Sequence, residues 1–286
     1  MIELYSSPWR KTFESFLSGV SGDLVIASPF IKATEAARVC DTLGGSSVRL
    51  RVLTNIRSES VLNGSLDMAA LRLFAKAVPD SEVIAVPKLH AKVYIRDHDF
   101  AVITSANLTP SGLDSNYEYG IGLRDVPLVT QVRNDIEAYG RVGSAVSAEL
   151  LAEMSSVSDE LVAEFQRVEK SANAGLRRAF NQKLRKANIE FLRAQIGKRS
   201  AHSLFVDAIV YILSRSPLPT SELHPRIQKL LPDLCDDTVE LVIDGQRFGK
   251  RWKHDVRNAQ QFLKRQGVIG FDGGQWHLVG HKLSSN

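Results

Sequence analysis

Helix-like and strand-like patterns alternate along the first 143 residues, and this alternation limits the fold more than any other feature of the chain. The run Leu24-Val25-Ile26-Ala27 is continuously apolar, as in a buried strand. A first helix is expected to begin at Pro8, with Ser7 as its N-cap. Such alternation predicts an α/β sandwich with helices on both faces of a sheet. The further strands are predicted at 48–54, 82–86, 91–96, 100–105 and 118–124, and the further helices near 33–43, 67–78 and 127–139.

Four polar side chains lie at the ends of two of these predicted strands. His90 and Lys92 are two residues apart on a strand-like run, so period-two alternation places both on one face. Ser105 and Asn107 end the next run. Taken singly, each has an ordinary structural explanation, such as a core histidine, a solvated lysine or a loop asparagine. Together, an imidazole, an ammonium, a hydroxyl and an amide form a nucleophile beside a set of phosphate-sized donors, which favours phosphodiester chemistry without a metal.

The spacing resembles the HKD signature of the phospholipase D superfamily, which reads H-x-K, four residues, D, about six residues, then G-S/T-x-N. Here His90-x-Lys92 is followed by Asp97 and then by Thr104-Ser105-x-Asn107. Glu118 matches the later acidic residue of the family. Thr104 stands where the family usually has glycine, which leaves the turn geometry open. The resemblance implies a mixed sheet flanked by helices, in agreement with the α/β pattern.

The resemblance also implies a two-step displacement that needs two copies of the motif. A neutral histidine attacks phosphorus to give a phosphohistidine, and a second histidine protonates the leaving oxygen and then activates water. The chain carries one copy, because no other histidine has a lysine two residues later. We therefore expect a homodimer in which both motifs meet at the two-fold axis.

In that composite site, His90 of one subunit is the expected nucleophile and His90 of the other the general acid and base. Lys92 and Asn107 hold the non-bridging oxygens, and Ser105 adds a hydroxyl donor. By resemblance, Glu118 orients a histidine ring through a hydrogen bond.

By the same resemblance, Asp97 lies back from the phosphate and has a supporting role. No cofactor and no metal ion is expected. An acidic stretch in the C-terminal part is more simply a solvated loop than a metal site; it comprises Asp233, Asp236, Asp237 and Glu240.

Charge is distributed unevenly along the chain. Residues 1–150 carry 15 basic and 17 acidic side chains, whereas residues 151–286 carry 21 and 15. Nine basic residues against one acid lie in 170–199, and seven against one in 247–265. A basic second half indicates that the chain holds a polyanion, although solvated helix faces give the same pattern.

Composition and the N-terminal sequence indicate a soluble, cytoplasmic protein. No apolar run is long enough for a membrane span, and the first residues do not resemble a signal peptide. The two cysteines, Cys40 and Cys235, support neither a disulfide framework nor a zinc site.

Three domains are predicted: a catalytic domain at 1–143, a helical linker without strands at 144–200, and a winged helix at 201–286. In the last, helices are expected near 201–213, 220–231 and 253–266, with Thr220 capping the second, followed by a hairpin around Asp272-Gly273-Gly274. Val256, Ala259, Phe262 and Leu263 are expected to face its core.

This C-terminal part also resembles the N-terminal winged helix of Mrr-type restriction proteins. The likeness rests on Trp252, Val256, Arg257, Ala259, Gln261, Leu263, Gly267, Ile269, Gly274 and Trp276-His277-Leu278. A winged helix used for protein contacts is the alternative. Arg and Gln read base edges and Lys more often holds phosphate. The candidate DNA-binding residues are Arg247, Lys250, Arg251, Lys253, Arg257, Gln260, Gln261 and Lys264.

The leading hypothesis is a metal-independent DNA endonuclease in which the HKD domain cuts and the winged helix selects the site. A restriction or defence role follows by analogy. The alternatives are a phospholipase D-like enzyme acting on phospholipids, and a non-catalytic dimeric DNA-binding protein. RNA is a further possible substrate, since phosphate chemistry does not distinguish sugars.

Overall fold

The computed structural model describes residues 2–44, 47–169, 175, 179–180, 183–184, 200–243 and 245–279. The chain divides into two compact units, Met1–Gly197 and Lys198–Asn286.

The first unit is built on one mixed sheet, formed by eight strands of the described residues in the order β1-β7-β6-β5-β2-β3-β4-β8. β2, β3 and β4 are parallel, and the neighbouring pairs on either side of them are antiparallel. In chain order, the strands are β1 (Ile2–Ser6), β2 (Asp23–Ala27), β3 (Arg49–Thr54), β4 (Ser81–Ala85), β5 (Val93–Arg96), β6 (Phe100–Thr104), β7 (Tyr119–Leu123) and β8 (Ser144–Ala145).

Helices cover both faces of this sheet. Period-two alternation along β2 sends Leu24 and Ile26 into one core and Val25 and Ala27 into the other. The described helices of the unit are α1 (Arg10–Ser18), α2 (Ala33–Leu43), α3 (Ser58–Leu62), α4 (Met68–Ala77), α5 (Val126–Val142) and α6 (Ala148–Glu169). The first core is covered by α1, α2, α4 and α6, and the second by α5. This arrangement confirms the predicted α/β fold, a mixed sheet between helices.

The N-terminal region departs from its prediction. Residues 2–6 form a strand, and α1 begins at Arg10, so Ser7 is not its N-cap. A cis peptide bond joins Ser7 to Pro8. The backbone of Ser7 instead pairs with Glu118, because its N–H donates to the Glu118 carbonyl at 3.1 Å. The tertiary pairing of β1 with β7 overrides the local capping signal.

The segment predicted as a helical linker, 144–200, contains a short strand and a packed helix. Ser144–Ala145 pairs with β4, which corrects the expectation that this segment lacks strands. Leu151, Met154 and Leu161 of α6 are buried in the same core as the sheet. Residues 170–199, where the nine basic side chains cluster, lie almost wholly outside the described residues. The division into three domains stays a prediction.

The second unit contains α7 (Ala201–Leu213), α8 (Thr220–Leu230), β9 (Glu240–Ile243), β10 (Gln246–Lys250), α9 (Arg251–Arg265), β11 (Ile269–Asp272) and β12 (Gln275–Leu278). The three expected helices and the last hairpin are present at the predicted places. The β9–β10 hairpin was not predicted. Thr220 is the first residue of α8 rather than its cap, and its hydroxyl accepts from the Trp276 indole at 2.9 Å.

One further expectation for this unit was wrong. Phe262 is 38% exposed, and its ring contacts His202 edge-on instead of entering the core. The acidic stretch is exposed, as expected of a solvated loop, and within it Asp237 accepts from Lys250 and from the Trp252 indole. These bonds lower the pKa of the Asp237 carboxyl to about 2. No helix of the described residues is long and apolar enough to cross a membrane.

Candidate active site at one end of the sheet

The antiparallel order of β5, β6 and β7 brings distant parts of the motif to one end of the sheet. His90 and Lys92 precede β5, Ser105 and Asn107 follow β6, and Glu118 precedes β7. Because adjacent strands run in opposite directions, the start of one lies beside the end of the next. Five of the six predicted catalytic residues are therefore neighbours in space.

His90 and Lys92 touch each other, but not as members of a strand. β5 begins at Val93, after a turn in which Leu89 N–H donates to the Val86 carbonyl. The Lys92 ammonium lies 3.2 Å from Nδ1 and 3.3 Å from Nε2 of the His90 ring, and 2.9 Å from the His90 carbonyl oxygen. The ammonium is thus almost equally far from the two ring nitrogens, and it is in direct contact with the ring of the predicted nucleophile.

Lys92 is the buried member of the pair. It is 9% exposed, whereas the His90 side chain is open to solvent. Desolvation lowers the pKa of the Lys92 ammonium, and the nearby Glu118 carboxylate opposes this shift. The site thus holds a partly desolvated cation beside an exposed nucleophile.

Ser105 and Glu118 form the second contact of the site. The Ser105 hydroxyl donates to the Glu118 carboxylate and accepts from the Tyr119 N–H at 3.1 Å. The other Glu118 oxygen accepts from the Asn116 amide at 3.1 Å. Among the described residues, Glu118 makes no hydrogen bond to the His90 ring of its own chain. Its role as a histidine-orienting group therefore stays a prediction.

Asn107 lies in the loop after β6, which buried hydrogen bonds fix on both sides. The Tyr94 hydroxyl donates to the Ala106 carbonyl at 3.1 Å, and the Leu108 N–H donates to the Ser28 hydroxyl at 3.2 Å. The Asn107 Oδ1 atom is buried with no hydrogen-bond partner in the described part of the chain. The side chain is therefore held by its surroundings, and its amide group is the donor that remains for a ligand.

Thr104 is accommodated at the position where the family usually has glycine, because the residue paired with it on the neighbouring strand is itself a glycine. Thr104 pairs with Gly120 in the β6–β7 ladder. A Cβ atom on Gly120 would lie 2.7 Å from both the Thr104 Cβ and the Ile103 carbonyl oxygen. The departure from the family motif is thus accommodated by the missing side chain at position 120.

Two residues that support the site were missed from the sequence. The Ser7 hydroxyl accepts from the Glu118 N–H at 2.7 Å, which fixes the start of β7. Arg10 bonds both Glu35 oxygens at 2.8 Å and also Asp114, in the π-helical turn Ser111–Ser115 just before Asn116 and Glu118. Neither residue carries a sequence signal, since both contacts span more than 20 positions along the chain.

Asp97 lies away from this cluster. It follows β5, at the opposite end of that strand from His90, with a left-handed φ of 49°. Its carboxylate accepts from the N–H groups of Gly22 at 2.8 Å and Asp23 at 2.9 Å and from Ser21. Desolvation tends to raise the pKa of this carboxyl, but the hydrogen bonds from Asp23, Gly22 and Ser21 outweigh it, so the pKa is lowered. Asp97 therefore stabilises the turn that leads into β2, and it lies at the other end of β5 from His90 and Lys92.

Most of the predicted DNA-binding residues are open on the surface of the second unit. Arg251, Arg257, Gln261 and Lys264 of α9 are exposed. Arg247 is paired with Glu240, Lys250 is paired with Asp237, and Lys253 lies over the Trp252 ring. Gln260 is 1% exposed and its side-chain oxygen lies 3.3 Å from His224 Nε2, so it is not accessible to DNA. Helix periodicity explains the error, because Gln260 follows Val256 by four residues and shares its buried face.

Within the described residues, no three His, Cys, Asp or Glu side chains lie together as a group that could hold a metal ion.

Comparison with known families agrees with this geometry. Residues 21–139 match the family model described as "Cardiolipin synthase, PLD-like domain". This span includes the whole motif from His90 to Glu118. The predicted resemblance to the phospholipase D superfamily is thereby confirmed for residues 21–139, which match a PLD-like domain. The resemblance of the C-terminal part to Mrr-type winged helices stays a prediction. A search of curated proteins gives no match to the chain.

Three of the solved structures that match part of the chain are as follows. NucT from Helicobacter pylori is 17% identical, with 47% of this chain and 91% of that chain covered and a TM-score of 0.40. The phospholipase D family member Nuc from Salmonella typhimurium is 15% identical, with 51% and 98% covered and a TM-score of 0.45. Phosphatidylserine synthase from Haemophilus influenzae is 18% identical, with 59% and 46% covered and a TM-score of 0.48.

Proposed function

We propose that this protein is a phosphodiesterase that cleaves DNA as a metal-independent endonuclease through a phosphohistidine intermediate. The observation that carries the proposal is the contact of the buried Lys92 ammonium with the exposed His90 ring, 3.2 Å apart. It places a nucleophile that must be neutral beside a cation that can hold a phosphate oxygen.

In the proposed reaction, a ring nitrogen of His90 forms a bond to phosphorus and the bond from phosphorus to the leaving oxygen breaks. The leaving oxygen takes a proton from the second histidine. That histidine then removes a proton from water, whose oxygen attacks phosphorus and breaks the nitrogen–phosphorus bond. Lys92 and the Asn107 amide hold the non-bridging oxygens, where negative charge increases.

The second histidine comes from another copy of the chain in a homodimer. An apolar patch beside the site supports this part of the proposal. Ile2 and Leu4 of the edge strand β1 are 62% and 66% exposed, and Tyr119 on the adjacent strand is 59% exposed. Tyr117, next to Glu118, is fully exposed. An exposed apolar patch at a sheet edge is typical of an interface with another chain. A two-fold contact between two copies of the chain at this edge would bring their two candidate active sites together.

DNA is the proposed substrate because of the second unit. The exposed basic and amide side chains of α9 suit a DNA backbone and its base edges. The proposed winged helix selects the site, and a restriction or defence role extends this by analogy. RNA remains an outcome to be tested with the same assay.

Plasmid cleavage in excess EDTA tests the activity, with the wild type, His90→Ala and the matched control His98→Ala. His98 is exposed and lies beyond the other end of β5. Cleavage by the wild type and the control, but not by His90→Ala, is the expected result. DNA binding without cleavage by all three proteins would favour the non-catalytic alternative.

Subunit mixing tests the homodimer. If each composite site needs His90 from both subunits, exchange of wild type with an equal amount of His90→Ala leaves about one quarter of the wild-type activity per mole of total dimer. A linear decrease to about one half would contradict the shared site.

Phospholipid transfer is the second candidate, and the description of the matching family model favours it. The same phosphohistidine can pass its phosphoryl group to an alcohol instead of water. Vesicles of phosphatidylglycerol, assayed for head-group release by wild type and His90→Ala, distinguish this candidate from a nuclease.

A further inference from the structure

A pocket opens beside Asn107. Its volume is about 540 Å³, within the range of sites that hold small organic ligands. Three chain segments form it: the loop after β2, with Phe30 and Lys32; the loop after α3, with Gly64 and Ser65; and the segment from Asn107 to Asn116. Asn107 lines this pocket and is also one of the residues proposed to hold the scissile phosphate, so a group bound here would lie next to that phosphate.

The lining combines polar and apolar groups and carries little free charge. The Lys32 ammonium donates to Asp67 at 2.6 Å and to the Gly64 carbonyl at 3.0 Å, so its charge is already compensated. Ser65, Thr109 and Ser111 contribute hydroxyl groups. A second phosphate would need uncompensated cations, which the lining does not offer. The main apolar surfaces of the pocket are the Phe30 ring and Pro110, without the aliphatic side chains that an acyl chain would need.

Phe30 gives the pocket an aromatic wall. Its side chain is half-buried, and the loop that carries it is fixed because the Ser28 hydroxyl donates to the Phe30 carbonyl at 2.8 Å. A half-exposed ring on a fixed loop is a surface on which a planar base can stack. Hydroxyl and amide groups opposite such a ring suit a sugar and the polar edge of a base.

We infer that this pocket binds the nucleoside next to the scissile phosphate, with its base unstacked from its neighbours and placed on Phe30. This inference rests on the proposed function and names the form of its substrate. A nucleoside within a duplex cannot enter, because its base is paired and stacked on both sides. The enzyme therefore acts on single strands, or on nucleotides that have been extruded from a duplex.

Two small phosphodiesters with the same leaving group test the pocket: thymidine 5′-(p-nitrophenyl phosphate) and methyl p-nitrophenyl phosphate. The ratio of their kcat/KM values measures what the nucleoside contributes and cancels any loss of folded protein. The proteins are the wild type, Phe30→Leu and Phe271→Leu, a control at an exposed aromatic residue of the second unit.

We expect the wild type to prefer the thymidine ester by about tenfold or more, as for stacking of one base on an aromatic ring. Phe30→Leu should lower the ratio by about tenfold, and Phe271→Leu should leave it at the wild-type value. Hydrolysis of both esters at a ratio near one in the wild type overturns the pocket inference but leaves the proposed phosphodiesterase intact. If His90→Ala hydrolyses the esters as fast as the wild type, the proposed function itself fails.

A single-stranded oligonucleotide and its duplex provide the second arm. The single strand should be cut faster by the wild type, and Phe30→Leu should reduce that advantage. Equal rates on both forms would contradict the requirement for an unstacked nucleoside.

Discussion

Replacing Arg10 with methionine should destabilise the first unit and weaken the site that it supports. Arg10 donates to both oxygens of Glu35 at 2.8 Å and to Asp114 at 2.6 Å and 2.7 Å. The Glu35 side chain is 3% exposed, whereas that of Asp114 is 45% exposed. Methionine keeps much of the apolar stem and removes the charge, so a buried carboxylate loses its main partner.

The burial of Glu35 sets the size of the effect. Removing one member of a buried ion pair costs about 3–5 kcal/mol, and losing an exposed pair such as Arg10–Asp114 costs about 0–1 kcal/mol. Arg38, whose Nε lies 3.9 Å from Glu35, keeps some compensating charge. We therefore expect a loss of about 3 kcal/mol from the free energy of unfolding. The double variant Arg10→Met/Glu35→Met removes the stranded carboxylate and should recover about 2 kcal/mol of that loss.

Hydrogen exchange of peptides from β2, β3 and β5 measures this free energy for the first unit alone, because the second unit contributes other peptides. The reasoning is refuted if Arg10→Met lowers the unfolding free energy by less than about 1 kcal/mol, the level of a surface pair, or if the double variant is no more stable than the single one. Activity gives a second measure. Both variants lose the bond to Asp114 in the turn before Asn116, so both should have a lower kcat even where stability is recovered.

Three further predictions concern the site and its surroundings. Lys92→Arg should move the alkaline limb of the pH–rate profile to higher pH. The pKa of Lys92 is lowered from 10.5, so the wild type should lose its ammonium and its activity at a lower pH than an ordinary lysine would. If the alkaline limbs of the two proteins coincide, Lys92 is not the titrating group. Asp97→Asn should lower stability at neutral pH and leave kcat unchanged. Because the folded-state pKa of Asp97 is lowered from 3.8, the difference in stability between variant and wild type should disappear as the pH falls through that lowered value. Urea unfolding at several pH values measures this difference. Gly120→Ala should lower the stability of the fold by about 1–3 kcal/mol, because the added methyl group overpacks against Thr104. Adding Thr104→Gly should restore part of this stability. An unchanged melting temperature in the single variant would contradict the clash.

The sequence was sufficient to place the central strands and to single out the residues of the candidate site. Continuous apolar runs such as Leu24 to Ala27 mark strands buried on both faces, and their positions agree with the structure. The motif from His90 to Glu118 was identifiable because it is defined by residue types at fixed spacing, which a sequence states directly. The pairing of strands then brings these groups together.

Other features of the fold depend on contacts between residues far apart in the sequence, and no local sequence pattern predicts such contacts. β1 forms because residues 2–6 pair with β7, more than a hundred positions away. The strand predicted at 91–96 begins two residues later, at Val93, so His90 and Lys92 lie just before it and still contact each other. Gln260 appeared free to face DNA because polarity alone suggested a surface position. Its partner His224, on another helix, makes burial possible.

The charge balance around Lys92 connects the fold to the proposed chemistry. Lys92 is 9% exposed, and in the described residues its ammonium contacts the His90 ring and a carbonyl oxygen, with no carboxylate within ion-pair distance. Burying a cation without a direct counter-ion destabilises a folded protein. The same arrangement favours any anion that arrives, because the charge is already desolvated and positioned. Glu118 is near enough to act on Lys92 electrostatically, but its oxygens are engaged by Ser105 and Asn116. The fold thus keeps the carboxylate away from the ammonium, and a phosphate diester can take the place that an ion pair would otherwise fill.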